Sequence, residues 1–138
     1  MGDFMNRGSL HALVVDDMGS VRALIRAVLD EMGFNVAESS NGRDALTHLE
    51  SNPVDLLVCD WNMPKMGGLE VVVSVRENPK LKNLPILMVT TEHSRDQVKE
   101  AIRAGVTDYI MKPFQINKLK ARIAACLAAT RNTTATLD

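Results

Sequence analysis

The sequence lacks the features that mark membrane, secreted and nucleic-acid-binding proteins. Its 138 residues carry 16 basic and 17 acidic side chains, so the formal charge is −1 and no basic field favours nucleic acid. No apolar run approaches the roughly 18 residues of a membrane span, and the opening MGDFMNRGSL has no apolar core of a signal peptide. We therefore expect a soluble cytoplasmic protein with neither membrane nor nucleic-acid partners.

Cysteine and glycine-rich motifs are also scarce. The two cysteines, Cys59 and Cys126, do not have the CxxC spacing of zinc and redox sites, and we expect them to be ordinary buried thiols. No GxGxxG or Walker A string follows any apolar run, so the sequence contains no motif for a dinucleotide or a nucleoside triphosphate.

The apolar residues alternate between two patterns along the chain. Near-continuous short runs predict five strands that are buried on both faces; they lie at 12–15, 34–37, 54–59, 85–89 and 108–111. Helical spacing predicts one helix after each strand; the apolar stripes lie within 21–32, 45–49, 69–75, 98–102 and 116–127. Five such alternations predict a doubly wound α/β domain at 10–130, between an N-terminal extension (1–9) and a C-terminal tail (131–138).

One segment carries conflicting signals. The β-branched string LEVVVSV at 69–75 favours a strand by local propensity. We nevertheless predict a helix, because Gly67-Gly68 and Asn78-Pro79 bound a segment of helix length and a parallel sheet needs a crossover there.

Polar residues stand at or just beyond the ends of four predicted strands. They are Asp16, Asp17, Asp60, Thr90 and Lys112. The carboxyl ends of parallel strands meet at one sheet edge, and the three carboxylates would converge there if the first and third strands were neighbours. Mg²⁺, or Mn²⁺ in its place, would relieve their repulsion. Asp60 is the candidate nucleophile for a phosphoryl group, with the Thr90 hydroxyl and the Lys112 ammonium each contacting a phosphoryl oxygen.

Four segments resemble the receiver domain of two-component response regulators. They are VVDD in the first strand, CDWNMPKMGG around Asp60, MVTTE at Thr90 and YIMKPF around Lys112. The resemblance covers nearly the whole chain, and the WNMP string and Glu92 make it strongest to the stand-alone chemotaxis members of the family. It implies a five-stranded flavodoxin-like sheet in the order 2-1-3-4-5 with five helices.

The resemblance also implies the chemistry of the site. A sensor histidine kinase would phosphorylate Asp60, and water would remove the phosphoryl group slowly. The chain would then catalyse only its own phosphotransfer and dephosphorylation and would not be an enzyme for other substrates. Asp17, Asp60 and the backbone carbonyl of Asn62 would bind Mg²⁺, with Asp16 helping through a water molecule.

The same resemblance implies a conformational switch. Thr90 and Tyr109 would form its two parts and couple the site to the surface of the fourth helix, fifth strand and fifth helix. Lys112–Pro113 matches the position of a cis peptide in the family.

Output is expected to go to separate proteins, because only eight residues follow the last predicted helix. We expect a monomer that binds a flagellar motor switch protein and on which a phosphatase acts.

A phosphorelay intermediate that passes its phosphoryl group to a histidine phosphotransfer protein uses the same site and is the nearest alternative. A phosphorylation-independent adaptor is a further alternative. An aspartate-nucleophile phosphatase would carry an Asp-x-Asp string, whereas Trp61-Asn62 follows Asp60.

Overall fold

A computed structural model describes residues 9–91 and 95–137, with side chains described as far as residue 129. Within these residues, five parallel strands form one sheet in the order β2-β1-β3-β4-β5. The strands are β1 (His11–Val15), β2 (Asn35–Ser39), β3 (Leu56–Asp60), β4 (Ile86–Thr90) and β5 (Asp108–Met111). The helices are α1 (Gly19–Glu31), α2 (Gly42–Ser51), α3 (Gly68–Glu77), α4 (Arg95–Ala104) and α5 (Ile116–Leu137). The predicted fold class and strand order are confirmed.

Helices cover both faces of this sheet. Alternate residues of a strand point to opposite faces, so Ala12 and Val14 pack with α1 and α5, whereas Leu13 and Val15 pack with α2 and α3. Strands β3 and β4 are buried at every position, as the continuous apolar runs predicted. The three layers leave the two ends of the sheet as the places where polar side chains can gather.

Helix α3 resolves the conflict between propensity and pattern in favour of the helix. Val71, Val72 and Val75 are completely buried against the sheet, and helical geometry is what places these three positions on one face. Burial of three valine side chains outweighs the small local preference of β-branched residues for a strand.

Arg76 fixes the end of α3 to two neighbouring segments. Its guanidinium donates to the Gly105 carbonyl (2.8 Å), the Lys82 carbonyl (3.0 Å) and the Leu84 carbonyl (2.6 Å). Gly105 follows α4 with a φ of 113°, a left-handed conformation that favours glycine. The helix end and the turn before β4 are therefore joined to the end of α4 by one side chain.

Several strand ends differ by one or two residues from those expected, and two boundaries have an instructive cause or consequence. Strand β2 begins at Asn35 because Gly33 turns the chain with a φ of 95° and the Phe34 amide still donates to the Leu29 carbonyl (3.0 Å). Helix α5 extends to Leu137, so the expected start of the tail at residue 131 falls inside it. The division into extension, domain and tail remains a prediction, and its residues 1–8 and 138, like Glu92, lie outside the described residues.

Over the ranges described above, no helix combines the length and apolar character needed to cross a bilayer.

Candidate functional site

The structure brings the predicted polar residues to the carboxyl edge of the sheet. Asp16 follows β1, Asp60 ends β3, Thr90 ends β4 and Lys112 follows β5. One carboxylate oxygen from each of Asp16, Asp17 and Asp60 lies within 4.8 Å of the others. These residues are separated by as many as 96 positions in the chain, and parallel pairing of β1, β3, β4 and β5 brings them together.

Asp16 is the most constrained member of this acidic cluster. Only 1% of its surface is exposed. Its Oδ1 accepts a hydrogen bond from the Met18 amide (2.9 Å), and its Oδ2 accepts one from the Lys112 ammonium (3.0 Å). Its own amide donates to the Ser39 carbonyl at the end of β2 (3.2 Å). Both carboxylate oxygens are thus oriented by described donors.

Asp60 is buried but less tightly held. Its Oδ1 accepts a hydrogen bond from the Asn62 amide (3.3 Å) and lies 3.5 Å from the Lys112 Nζ. Burial raises the pKa of the Asp60 carboxyl to about 6; the charge on Asp16 adds to this rise, while Lys112 and the Asn62 amide oppose it. The group remains mostly ionised above neutral pH and can then act as a nucleophile.

Lys112 joins the two buried aspartates. Its side chain is only 12% exposed, and its Nζ contacts both Asp16 and Asp60. The Lys112 amide donates to the Thr90 carbonyl (2.8 Å), which ties the start of this loop to the end of β4. The peptide bond from Lys112 to Pro113 is cis, as the resemblance implied.

The donor set fits a hard divalent cation. Three carboxylates face one ammonium, so the cluster carries excess negative charge, and Asp17 is exposed at its rim. Carboxylate oxygens combined with water are the ligands that Mg²⁺ prefers, and Mn²⁺ accepts the same set. Asp16, Asp17 and Asp60 could therefore hold such an ion. The ligand role of the Asn62 carbonyl remains a prediction.

Glycine lets α3 begin directly beside Asp60. A Cβ on Gly68 would lie 2.5 Å from the Asp60 carbonyl oxygen and 2.9 Å from the Trp61 Cα. The Gly68 amide donates to the Trp61 carbonyl (2.9 Å), and the Trp61 amide donates to the Val89 carbonyl (2.9 Å). Gly67-Gly68 predicted only a helix boundary from the sequence, and their support of the acceptor's backbone is seen only in the folded structure.

The two residues expected to form a switch occupy adjacent strands. Thr90 is buried at the end of β4. Tyr109 is half-buried in β5, pairs with Met88 in the sheet, and packs against the apolar cluster beneath α2 and α3. A ring at this position lies between the interior and the surface; its role as a switch remains a prediction.

The thiol beside the acceptor is not a competing nucleophile. Burial, and the charges on Asp60 and Asp16, raise the pKa of Cys59 far above neutrality, so the reactive thiolate is absent at physiological pH. Burial also raises the pKa of Cys126, to about 12.

Arg22 is a contact of the site that sequence reasoning missed. Its guanidinium donates to the Asp16 backbone carbonyl (2.8 Å) and to the Glu38 carboxylate (2.9 Å). From the sequence, an arginine in the first turns of an amphipathic helix is expected to be an ordinary solvated charge. Its contact with the Asp16 carbonyl is seen only when α1 lies beside the end of β1 in the folded structure.

Comparisons with known proteins agree with this geometry. The profile of the family described as the response regulator receiver domain matches residues 12–124. The chain is 47% identical over 112 residues to a chemotaxis protein CheY of Pseudomonas aeruginosa, an alignment that covers 80% of this chain and 90% of that protein. It is 40% identical over 116 residues to chemotaxis protein CheY-3 of Vibrio cholerae, covering 83% of this chain and 89% of the relative. The solved structure of Vibrio cholerae chemotaxis protein CheY4 superposes with a TM-score of 0.82 at 34% identity, covering 86% of this chain and 99% of that one.

Proposed function

Because this chain belongs to the response regulator receiver domain family, we propose that it is a phosphorylation switch whose acceptor is Asp60. It is a CheY-like response regulator of two-component signalling. The observation that carries the proposal is the buried Asp60 carboxylate, placed 3.5 Å from the Lys112 ammonium and inside the acidic cluster.

The proposed reaction is phosphoryl transfer from a phosphohistidine of a sensor kinase. An Asp60 carboxylate oxygen attacks phosphorus, the bond from phosphorus to the histidine nitrogen breaks, and the leaving imidazole takes up a proton. Lys112 then pairs with one phosphoryl oxygen, and the Thr90 hydroxyl donates to another. When bound, Mg²⁺ supplies charge neutralisation for the phosphoryl oxygens and the cluster. Water attack on the acyl phosphate later releases inorganic phosphate and restores the carboxylate.

The hydrogen bonds of the two buried aspartates distinguish their roles. The one described hydrogen bond to the Asp60 carboxylate is to Oδ1, which leaves oxygen lone pairs for a phosphoryl group, whereas both oxygens of Asp16 already accept described hydrogen bonds. This difference in bonding supports Asp60, and not Asp16, as the nucleophile. We further propose that the protein turns over no external phosphate ester and is therefore not an enzyme in the ordinary sense.

The output of the switch is proposed to be a surface change around β5. Movement of Thr90 toward the phosphoryl group would give Tyr109 room to turn inward. Among the side chains that the structure describes on α4, β5 and α5, three large apolar ones are exposed: Ile102 (59%), Met111 (38%) and Ile116 (46%). Exposed apolar residues on neighbouring elements are what a partner protein can cover.

We propose a cytoplasmic, monomeric regulator of chemotaxis. Support comes from the relatives, which are named as chemotaxis proteins. The kinase would be a chemotaxis histidine kinase, the target a flagellar motor switch protein, and a separate phosphatase would shorten the lifetime of the phosphorylated state.

Partner assays separate the two signalling outcomes. The protein is phosphorylated with Mg²⁺ and acetyl phosphate, and its affinity for a purified motor switch protein is measured with and without the donor. A clear gain in affinity on phosphorylation, absent in Asp60→Asn, is expected. Rapid loss of the phosphoryl group to a histidine phosphotransfer protein, without any change in motor binding, would instead favour a phosphorelay intermediate. Equal motor binding with and without donor would favour the adaptor.

A further inference from the structure

We propose that Arg22 is a positioning residue for the metal site: it holds the peptide that joins Asp16 to Asp17. The inference rests on the proposed function, because it assumes that the acidic cluster binds a divalent cation. Arg22 itself touches neither the carboxylates nor the acceptor and acts through the backbone.

Asp16 is held through its amide, its side chain and its carbonyl, and the contact made by Arg22 is the one to the peptide that follows it. The Asp16 amide donates to the Ser39 carbonyl (3.2 Å), and the Asp16 side chain accepts from the Met18 amide (2.9 Å). The Arg22 Nη1 donates to the Asp16 carbonyl (2.8 Å), which belongs to the peptide plane leading into Asp17. Removal of Arg22 would leave this carbonyl free to turn about the bonds of Asp16.

That freedom matters more for Asp17 than for Asp16. The carboxylate of Asp16 is buried and fixed by Lys112 and Met18. Asp17 is exposed, so the position of its carboxylate depends on the backbone that precedes it. A rotation of the Asp16–Asp17 peptide would therefore carry one of the three carboxylates away from the other two.

Arg22 is itself oriented by Glu38. Its Nε donates to the Glu38 Oε1 (2.9 Å), while the second oxygen of Glu38 accepts from the Arg26 Nη1 (2.5 Å). The planar fork of arginine suits this arrangement, because one nitrogen binds the carboxylate while another reaches the carbonyl. The Arg22 side chain is 23% exposed, against 44% for Arg26. The better-buried arginine is the one that reaches the site.

A purely electrostatic role and a positioning role of Arg22 predict opposite changes in Mg²⁺ affinity when this residue is removed. If Arg22 acted only through its charge, removing a cation beside the acidic cluster would tighten binding of Mg²⁺. If it positions the Asp16–Asp17 peptide, its removal should weaken Mg²⁺ binding, and loss of a residue that orients metal ligands typically costs about tenfold or more in affinity. A contribution to folding alone would leave the affinity of the folded protein unchanged.

The test measures the Mg²⁺ dissociation constant by isothermal titration calorimetry, with Trp61 fluorescence as a second readout. Arg22→Ala is compared with Arg26→Ala, which removes an equal charge from the same helix and a contact with the other carboxylate oxygen of Glu38, while Arg26 has no described contact with Asp16. Circular dichroism checks that each variant is folded. We expect about tenfold weaker binding for Arg22→Ala and an unchanged constant for Arg26→Ala.

A second variant covers the case in which Arg22→Ala does not fold. Arg22→Lys keeps the charge but replaces the fork with one ammonium, so we expect weaker Mg²⁺ binding than in the wild type. Wild-type affinity in Arg22→Lys, tighter binding in Arg22→Ala, or equal losses in Arg22→Ala and Arg26→Ala would each overturn the inference. Failure of the wild-type protein to bind Mg²⁺ would instead overturn the metal site itself.

Discussion

Replacing Asp60 with asparagine (Asp60→Asn) is expected to stabilise the metal-free protein while it abolishes phosphorylation. Burial and the neighbouring Asp16 raise the pKa of the Asp60 carboxyl from 3.8 to about 6, which means that its ionised form is disfavoured in the folded state. Asparagine has nearly the same shape and keeps an oxygen for the Asn62 amide, but it carries no charge.

The size of the gain follows from the pKa. One pKa unit corresponds to about 1.4 kcal/mol, so a rise of about two units costs the folded protein about 3 kcal/mol once Asp60 is ionised. This pKa already includes the attraction to Lys112, whose ammonium lies 3.5 Å from Asp60, so the cost is a net value. We therefore expect the free energy of unfolding to rise by about 1–3 kcal/mol near neutral pH.

The raised pKa of Asp60 also determines how the stability of the folded protein changes with pH. Because the folded-state pKa is above the unfolded one, the folded protein holds more protons between about pH 4 and pH 6. The contribution of Asp60 to stability therefore falls as pH rises through this window and is constant above it. Asp60→Asn should lack this fall, so the two proteins should differ little near pH 4 and most above about pH 6.

Urea unfolding followed by far-ultraviolet circular dichroism, in buffer with a chelator, measures this difference. Asp55→Asn is a matched control, because its carboxylate lies at the opposite end of the sheet and accepts from the His11 amide. Equal or lower stability of Asp60→Asn at neutral pH would refute the reasoning, as would an equal gain at acid pH. Added Mg²⁺ should stabilise the wild type more than the variant, because a ligand stabilises the state that binds it.

Three other substitutions test the supporting structure by urea unfolding. Gly68→Ala should lower the free energy of unfolding by about 1–3 kcal/mol, because its Cβ would lie 2.5 Å from the Asp60 carbonyl oxygen. The control Gly19→Ala should not be destabilised, because its Cβ would meet nothing nearer than 3.8 Å. Arg76→Ala should lower the free energy of unfolding by about 2–4 kcal/mol, because three backbone carbonyls lose a charged donor. Lys99 is exposed on α4, and a loss no larger than that of Lys99→Ala would contradict the role of Arg76 in joining α3 to α4. Lys112→Ala should be less stable than wild type in chelator at neutral pH and recover with Mg²⁺, since the buried carboxylates lose their cation; unchanged stability would contradict this.

Most of the architecture could be predicted because its signals are local and consistent. Five buried apolar runs alternate with helical stripes, and the right-handed crossover rule leaves few ways to connect them. The segment at 69–75 shows why the pattern as a whole matters more than propensity, because its valines form the buried face of α3. Strand order came from the family resemblance, since periodicity carries no information about which strands are neighbours.

The site was predictable in its residue types but not in its detailed contacts. The ends of parallel strands meet at one edge, and this rule identified Asp16, Asp60 and Lys112 before any distance was known. It did not show that Asp16 is buried while Asp17 is exposed. Nor could it find Arg22, whose contact is with a backbone carbonyl and leaves no pattern in the sequence.

The most direct test of Asp60 as acceptor is the intact mass of the protein after incubation with Mg²⁺ and acetyl phosphate. We predict a gain of one phosphoryl group in the wild type, no gain when the metal is chelated, and no gain in Asp60→Asn. The absence of any adduct in the wild type, or an adduct that persists in Asp60→Asn, would contradict the account.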